Sequence, residues 1–178
     1  MPATKHTIVA LVEDKPGVLN RMSSLFRRRG FNIESIAVGH TELPDQSRMT
    51  IVVDGNVDMV EQVRKQLAKV VDVLKVSDIT DEDIVARELA LIKVKATSFT
   101  RSEIMQIVDI FRANIVDVAT DSLTIEVTGD EDKVTSLSNL LRGFGIKEMA
   151  RTGRIALTRG GSTPVQVEEN SSKTKDKK

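Results

Sequence analysis

Glu13-Asp14-Lys15-Pro16-Gly17-Val18-Leu19, followed about one helix later by Phe31-Asn32-Ile33, are the stretches whose reading decides the fold. The first lies between an apolar run, Thr7–Val12, and a segment with helical periodicity. Asp14 is a good N-cap residue, because its carboxylate can accept from the first free backbone N–H groups. Pro16 suits the first helical turn, where its missing N–H removes nothing. Gly17 has no Cβ, so a ligand can approach the backbone there. These features predict a helix N-terminus with unpaired amides and a partial positive charge beside an open surface, suited to the carboxylate of a free amino acid. Read alone, such a run is also an ordinary turn before a helix. The organisation around it carries the decision.

Thr7–Val12 is rich in β-branched and apolar residues and reads as a central strand. A helix over about Pro16–Arg29 places Val18, Leu19, Met22, Leu25 and Phe26 on one stripe. Arg27, Arg28 and Arg29 close it as a solvated basic end that complements the dipole, and Gly30 stands at C′. Phe31–Glu42 reads as a second strand, with Phe31, Ile33, Ser35 and Ala37 on one face and Ile36 and Val38 on the other. Leu43–Ser47 is a turn, and Arg48–Asp54 a third strand. A helix over Val57–Lys69 turns Val60, Val63 and Leu67 inward, and Val70–Ile79 is a fourth strand of high β propensity. The order is β-α-β-β-α-β, the split unit of ferredoxin-like folds.

Asp81–Asp83 form an acidic hinge, and the order then repeats. A strand at Arg87–Ala96 precedes a helix at Thr100–Ala113, capped by Thr100 or Ser98, with Ile104, Ile107, Val108 and Phe111 inward. Ile115–Ala119 and Leu123–Val127 form two short strands. A helix at Asp130–Gly143 buries Val134, Leu137, Leu140 and Leu141, and Ile146–Leu157 holds a last strand interrupted by Gly153. The fold class is therefore α+β, two tandem ferredoxin-like βαββαβ domains over residues 1–80 and 81–160. Residues 161–178 form a charged tail with too little apolar surface to offset chain entropy, and disorder is expected there. The second strand-to-helix junction, Thr97–Ser102, has neither Gly nor Pro. The ligand is accordingly expected in the first half, with the second half as packing and contact surface.

Lys plus Arg and Asp plus Glu balance at 26 each, so nothing suggests a general nucleic-acid or membrane surface. Cysteine is absent, which excludes disulfides and thiol chemistry and fits a cytoplasmic protein. No apolar run approaches the ~20 residues of a membrane helix. The first six residues lack the apolar core of a secretion signal. His6 and His40, on what read as neighbouring strands, would make a poor metal site without a third ligand, and are expected as exposed strand-end residues. There is no Gly-rich phosphate loop and no nucleophile elbow. Ferredoxin-like RNA binders stack bases on central-strand aromatics. The central strands here carry no ring. Arg21 and Asn32 lie near the first turn, yet that turn does not look like the one found in small phosphatases of this fold class.

The pieces together resemble the ACT domain, a βαββαβ regulatory module that binds amino acids at domain–domain contacts. The resemblance narrows on Asp14–Leu19, Arg29-Gly30-Phe31-Asn32-Ile33-Glu34-Ser35, Ser47–Ile51 and Val70–Val76. In the second half it rests on Arg87-Glu88-Leu89, Phe111-Arg112, Ile115–Val118 and Ala150–Gly153. These runs look like the regulatory (small) subunit of acetolactate synthase, also called acetohydroxyacid synthase, over about residues 5–160. The resemblance implies a chain with no catalytic residues and no cofactor or metal of its own. Its partner would be a large catalytic subunit carrying thiamine diphosphate, Mg and FAD. It also implies a homodimer through the first domain and feedback inhibition by valine. The implied effector site is Asp14, Lys15, Pro16, Gly17, Val18, Leu19, Asn32 and Ile33. Backbone amides of Gly17–Leu19 would hold the carboxylate, Asn32 would bind across the interface, Asp14 would receive the ammonium, and Ile33 and Val18 would line an apolar pocket. A stand-alone tandem-ACT amino-acid sensor is the alternative.

Overall fold

The computed structural model describes residues 4–160 and Val165. The first half contains β1 (Thr4–Glu13), α1 (Val18–Arg29), β2 (Ile33–His40), β3 (Gln46–Gly55), α2 (Val57–Leu67) and β4 (Val73–Asp78). The second contains β5 (Ile84–Lys95), α3 (Arg101–Ile110), β6 (Asn114–Val118), β7 (Ser122–Gly129), α4 (Glu131–Arg142), β8 (Ile146–Arg151) and β9 (Ile155–Thr158). Two antiparallel sheets result, with strand orders β2-β3-β1-β4 and β6-β7-β5-β8. The expected order is thus present twice. The charged tail lies outside the described residues apart from Val165.

β1 explains why the sheets look as they do. Ile8, Ala10 and Val12 point toward α1 and α2, where Met22, Leu25, Phe26, Val60, Val63 and Leu67 close the first core. Val9 and Leu11 point the other way, and they are buried too. They pack against Ile79, Ala156 and Val165, with Ile84 and Ala86 at the margin. A strand covered on both faces has no polar side to show, so its sequence loses the alternation of a half-exposed strand. The cover is a ribbon from the second half. The first residues of β5 reach past its own sheet and pair with β9, Ile84 with Thr158 through Arg87 with Ile155. β8 and β9 run along the same edge of β5 as one strand line, broken at 152–154, where an interruption at Gly153 is expected. The second core gathers Ile92, Val94, Ile104, Val108, Ile125, Leu137 and Leu141 under α3 and α4.

Several local expectations are corrected. Gly17, at φ 88°, is the N-cap of α1, and no side chain caps that helix. Asp14 is therefore not the cap, and Pro16 precedes the helix. The faces of β2 differ because its register shifts between Ile33 and Ser35. That bulge lets Ile33 and Ile36 both meet the first core, leaving Ser35 off it. β2 and β1 are separated by β3, so His6 and His40 are not on neighbouring strands. His6 is buried rather than exposed, with Nδ1 3.5 Å from Asp78. At α3 neither Ser98 nor Thr100 supplies a cap. Thr97 and Thr100 instead exchange bonds, each amide donating to the other's hydroxyl at 3.0 and 3.3 Å. α2 ends at Leu67, and Val70–Asp72 form a turn whose Asp72 is buried against Arg21. Of the four residues read as inward on α4, Leu140 stays half exposed.

A polar seam locks the halves together. The Arg154 amide donates to Ser35 Oγ at 3.0 Å, and its guanidinium donates to Thr7 Oγ1 at 3.1 Å and to Glu131 at 2.8 Å. Lys5 Nζ lies 2.6 Å from both Glu34 and Glu131. Gly153 sits against this seam at φ +83°, where an added Cβ would come within 2.7 Å of Ser35 Oγ and 3.2 Å of the Ile36 carbonyl oxygen. The hydrogen bond from Lys5 holds the Glu131 carboxyl below its ordinary 4.5, against the opposing effect of burial.

Two outcomes follow from the seam. Gly153→Ala should destabilise the chain by ~1–3 kcal/mol in urea unfolding, through positive-φ strain and crowding of Ser35. Because the folded-state pKa of Glu131 is depressed, its contribution is present above the ordinary carboxylate value and is lost as pH falls through the folded one. Wild-type thermal stability should accordingly fall more steeply below about pH 4.5 than that of Glu131→Gln, and equal slopes would show that the Lys5 contact carries no stability.

Candidate functional site

The residues expected to hold an effector fall in two places. Asp14–Leu19 surround the N-terminal mouth of α1. The Val18 amide reaches the Lys15 carbonyl only at 3.5 Å, and the Arg21 amide donates to the Gly17 carbonyl at 3.0 Å. The amides of Gly17, Leu19 and Asn20 have no acceptor among the described residues. The mouth is exposed and its donors are free, the condition under which a helix N-terminus attracts an anion. The positive φ at Gly17 turns the chain into the helix without a side chain over those amides.

Backbone hydrogen bonds frame the mouth. The Asp14 amide donates to the Asp45 carbonyl at 2.8 Å, pinning the loop to the β2–β3 turn. The Glu13 amide donates to the Asp72 carbonyl at 2.8 Å. The Asp14 carboxylate faces solvent, 3.2 Å from His40 Nδ1. Lys15 Nζ donates to Glu13 at 2.7 Å, and this bond raises the Lys15 pKa. Arg21 pairs with the buried Asp72. Val18 turns its side chain into the first core at 3% exposure, so it is not a wall of an open pocket. Leu19, at 51%, is the apolar side chain left at the surface.

Asn32 and Ile33 are elsewhere. They follow α1, whose 12 residues span ~18 Å. β2 pairs antiparallel to β3, and so does β1. β1 and β2 are therefore parallel, and the start of β2 lies at the end of the sheet away from the Asp14 loop. The end of β2, at His40, is what meets Asp14. One chain does not bring the eight residues together. Asn32 is exposed, and Ile33 packs partly on the first core.

Sequence reasoning missed the cavities between the halves, two of which flank β2. One, of 320 Å³, is polar and contains Glu34, Ser35, Glu88, Glu131, Arg151 and Arg154, with Glu88 buried against Arg151. The other, of 360 Å³, is mostly apolar and has Arg48 in its wall. The Ser47–Ile51 run held Arg48, but nothing local showed that a strand from the second half would roof it. Among the described residues, no group of three His, Asp or Glu side chains is placed to hold a metal.

A family model described as "AHAS small subunit-like ACT domain" matches residues 8–75, and one described as "Small subunit of acetolactate synthase" matches 87–160. The chain is similar to a probable acetolactate synthase small subunit from Archaeoglobus fulgidus, 61% identical over 88% of this chain and 98% of that protein. It is 52% identical to the acetolactate synthase small subunit of Mycobacterium bovis, over 90% of this chain and 95% of that one. Among solved structures, the acetolactate synthase small subunit from Thermotoga maritima superposes with a TM-score of 0.82 at 42% identity, covering 89% of this chain and 99% of that one. The chain belongs to the acetolactate synthase small subunit family.

Proposed function

We propose that this chain is the non-catalytic regulatory subunit of acetolactate synthase, acting in the cytoplasm on a thiamine-diphosphate-dependent catalytic subunit that also carries Mg and FAD. It raises that subunit's activity and imposes feedback inhibition by valine. The observation that carries the effector reading is the exposed α1 mouth with free amides at Gly17 and Leu19, unobstructed by any cap. Residues 1–80 bind effector and dimerise, and residues 81–160 offer contact surface to the catalytic subunit.

The separation of the site residues supports a dimer. β2 is an edge strand of the first sheet. An unpaired edge is a template for another strand. Two β2 edges paired antiparallel about a two-fold axis would bring Asn32 and Ile33 of one chain beside the His40 end of the other, where the Asp14 loop stands. The carboxylate of valine then sits on the amides of Gly17–Leu19, with Lys15 and Pro16 shaping the loop. The Asn32 amide both donates and accepts across the seam. Leu19 and Ile33 supply apolar contact, and Asp14 takes the ammonium, free to do so because it caps nothing. Discrimination against isoleucine is modest, since one methylene is worth only ~1–3 kcal/mol. A ligand at such a seam changes activity by favouring one arrangement of the joined domains over another.

The test mixes the purified chain with the catalytic subunit and measures acetolactate with and without valine. The chain should raise the rate, and valine should lower it again. Gly17→Asp, which puts a carboxylate at the mouth, should keep the activation and lose the valine response. Titration calorimetry should show the same loss. Undiminished valine binding in Gly17→Asp rejects the site, and absence of any activation rejects the regulatory reading.

A further inference from the structure

The apolar cavity between the halves is separate from the α1 mouth. Its 360 Å³ lies at the small end of ligand sites, which run ~300–1,000 Å³. Val85, Ile155 and Leu157 from the second half and Ala37 from β2 wall it with hydrocarbon, and Arg48 and Arg87 also line it. No carboxylate lines it. Arg48 is half buried. One Nη2 hydrogen donates to the Ala156 carbonyl at 2.9 Å, whereas Nε is enclosed and has no partner. Arg87 uses Nη1 on the Ala86 carbonyl at 2.7 Å. A guanidinium has five donors, so most of this donor capacity is unused. Removing a cation from water without a hydrogen-bonded anion is unfavourable, and burial pushes the Arg48 pKa down against the opposing charge of Glu42.

The space above Arg48 is open for a reason visible in the register. Its cross-strand neighbour on β2 is Gly39, and cross-strand partners share a face. A Cβ at Gly39 would meet nothing within 4 Å. The cavity therefore offers a charge-assisted seat for one carboxylate beside a short apolar slot. It offers no carboxylate for an ammonium group, only the hydroxyl of Thr50. His40 lines the rim, but its Nδ1 faces Asp14, which does not line the cavity. An α-amino acid would set its ammonium beside two guanidinium groups.

We propose that this cavity binds a small aliphatic monocarboxylate lacking an α-ammonium group, with the carboxylate on Arg48 and the hydrocarbon between Val85, Ile155 and Leu157. The site is distinct from the effector site proposed above, and the full-length chain can be tested for it alone. Methyl NMR read at Val85, Ile155 and Leu157 follows titrations of 4-methylpentanoate, its primary amide, and leucine. The acid should shift these methyls saturably, and the amide and leucine should bind there about tenfold more weakly or not at all. Arg48→Gln should weaken the acid about tenfold. Gly39→Val, which leaves the guanidinium intact and fills the space above it, should do the same and decides the matter if Arg48→Gln does not fold. Gly17→Asp should leave the binding unchanged, so failure of the effector reading and failure of this one are told apart. Equal binding of acid and amide, no saturable shift by the acid, or unchanged binding in Gly39→Val overturns the proposal.

Discussion

Burial of β1 on both faces is the constraint on which the rest of this chain depends. Ile8, Ala10 and Val12 need α1 and α2, while Val9 and Leu11 need something on the opposite side. A side chain of this size gains ~1.5–3 kcal/mol on leaving water, so an uncovered back face would forfeit several such gains at once. The ribbon of early β5 and β9 answers that need, and in doing so fixes how the second half is docked. The polar seam then sets the register of the docking. Arg154 alone reaches a hydroxyl on β1, a hydroxyl on β2 and a carboxylate on α4.

Docking also manufactures the cavities that flank β2. Neither half encloses the apolar space, because its walls come from β2 and β3 on one side and from β5 and β9 on the other. The α1 mouth is of another kind. It is complete as a donor array within one chain yet incomplete as a site, since Asn32 stands at the far end of the sheet. A regulatory module benefits from that incompleteness. A ligand that needs two chains to be held reports on how the chains are arranged.

Much of the fold was legible in the sequence. The periodicity of Val18, Met22, Leu25 and Phe26 gave α1, Gly30 at φ 68° gave its stop, and the second βαββαβ unit followed from the same reading. Where the reading failed, a short-range competitor won. Asp14 has the chemistry of a cap, but the backbone at Gly17 turned first and its amide-rich mouth was left open. Ile33 and Ile36 violate alternation because a bulge inserts one residue between them. His6 resembled a strand-end residue in a polar N-terminus, although the ladder with β3 runs on to Thr4 and the side chain is buried.

What the sequence by itself determined was everything carried by local period and local backbone freedom: two split βαβ units, the helix limits to within a few residues, and a glycine-led helix mouth fit for a carboxylate. What only the tertiary structure decided was everything made by residues far apart in the chain: that β1 is roofed by β9, that Arg48 ends beneath a glycine in a cavity lined by no carboxylate, and that Asn32 lies a helix length from Gly17. The physical reason is that hydrogen-bond periodicity and φ preference act between neighbours, whereas a cavity or a shared site exists only once distant surfaces have been pressed together to remove them from water.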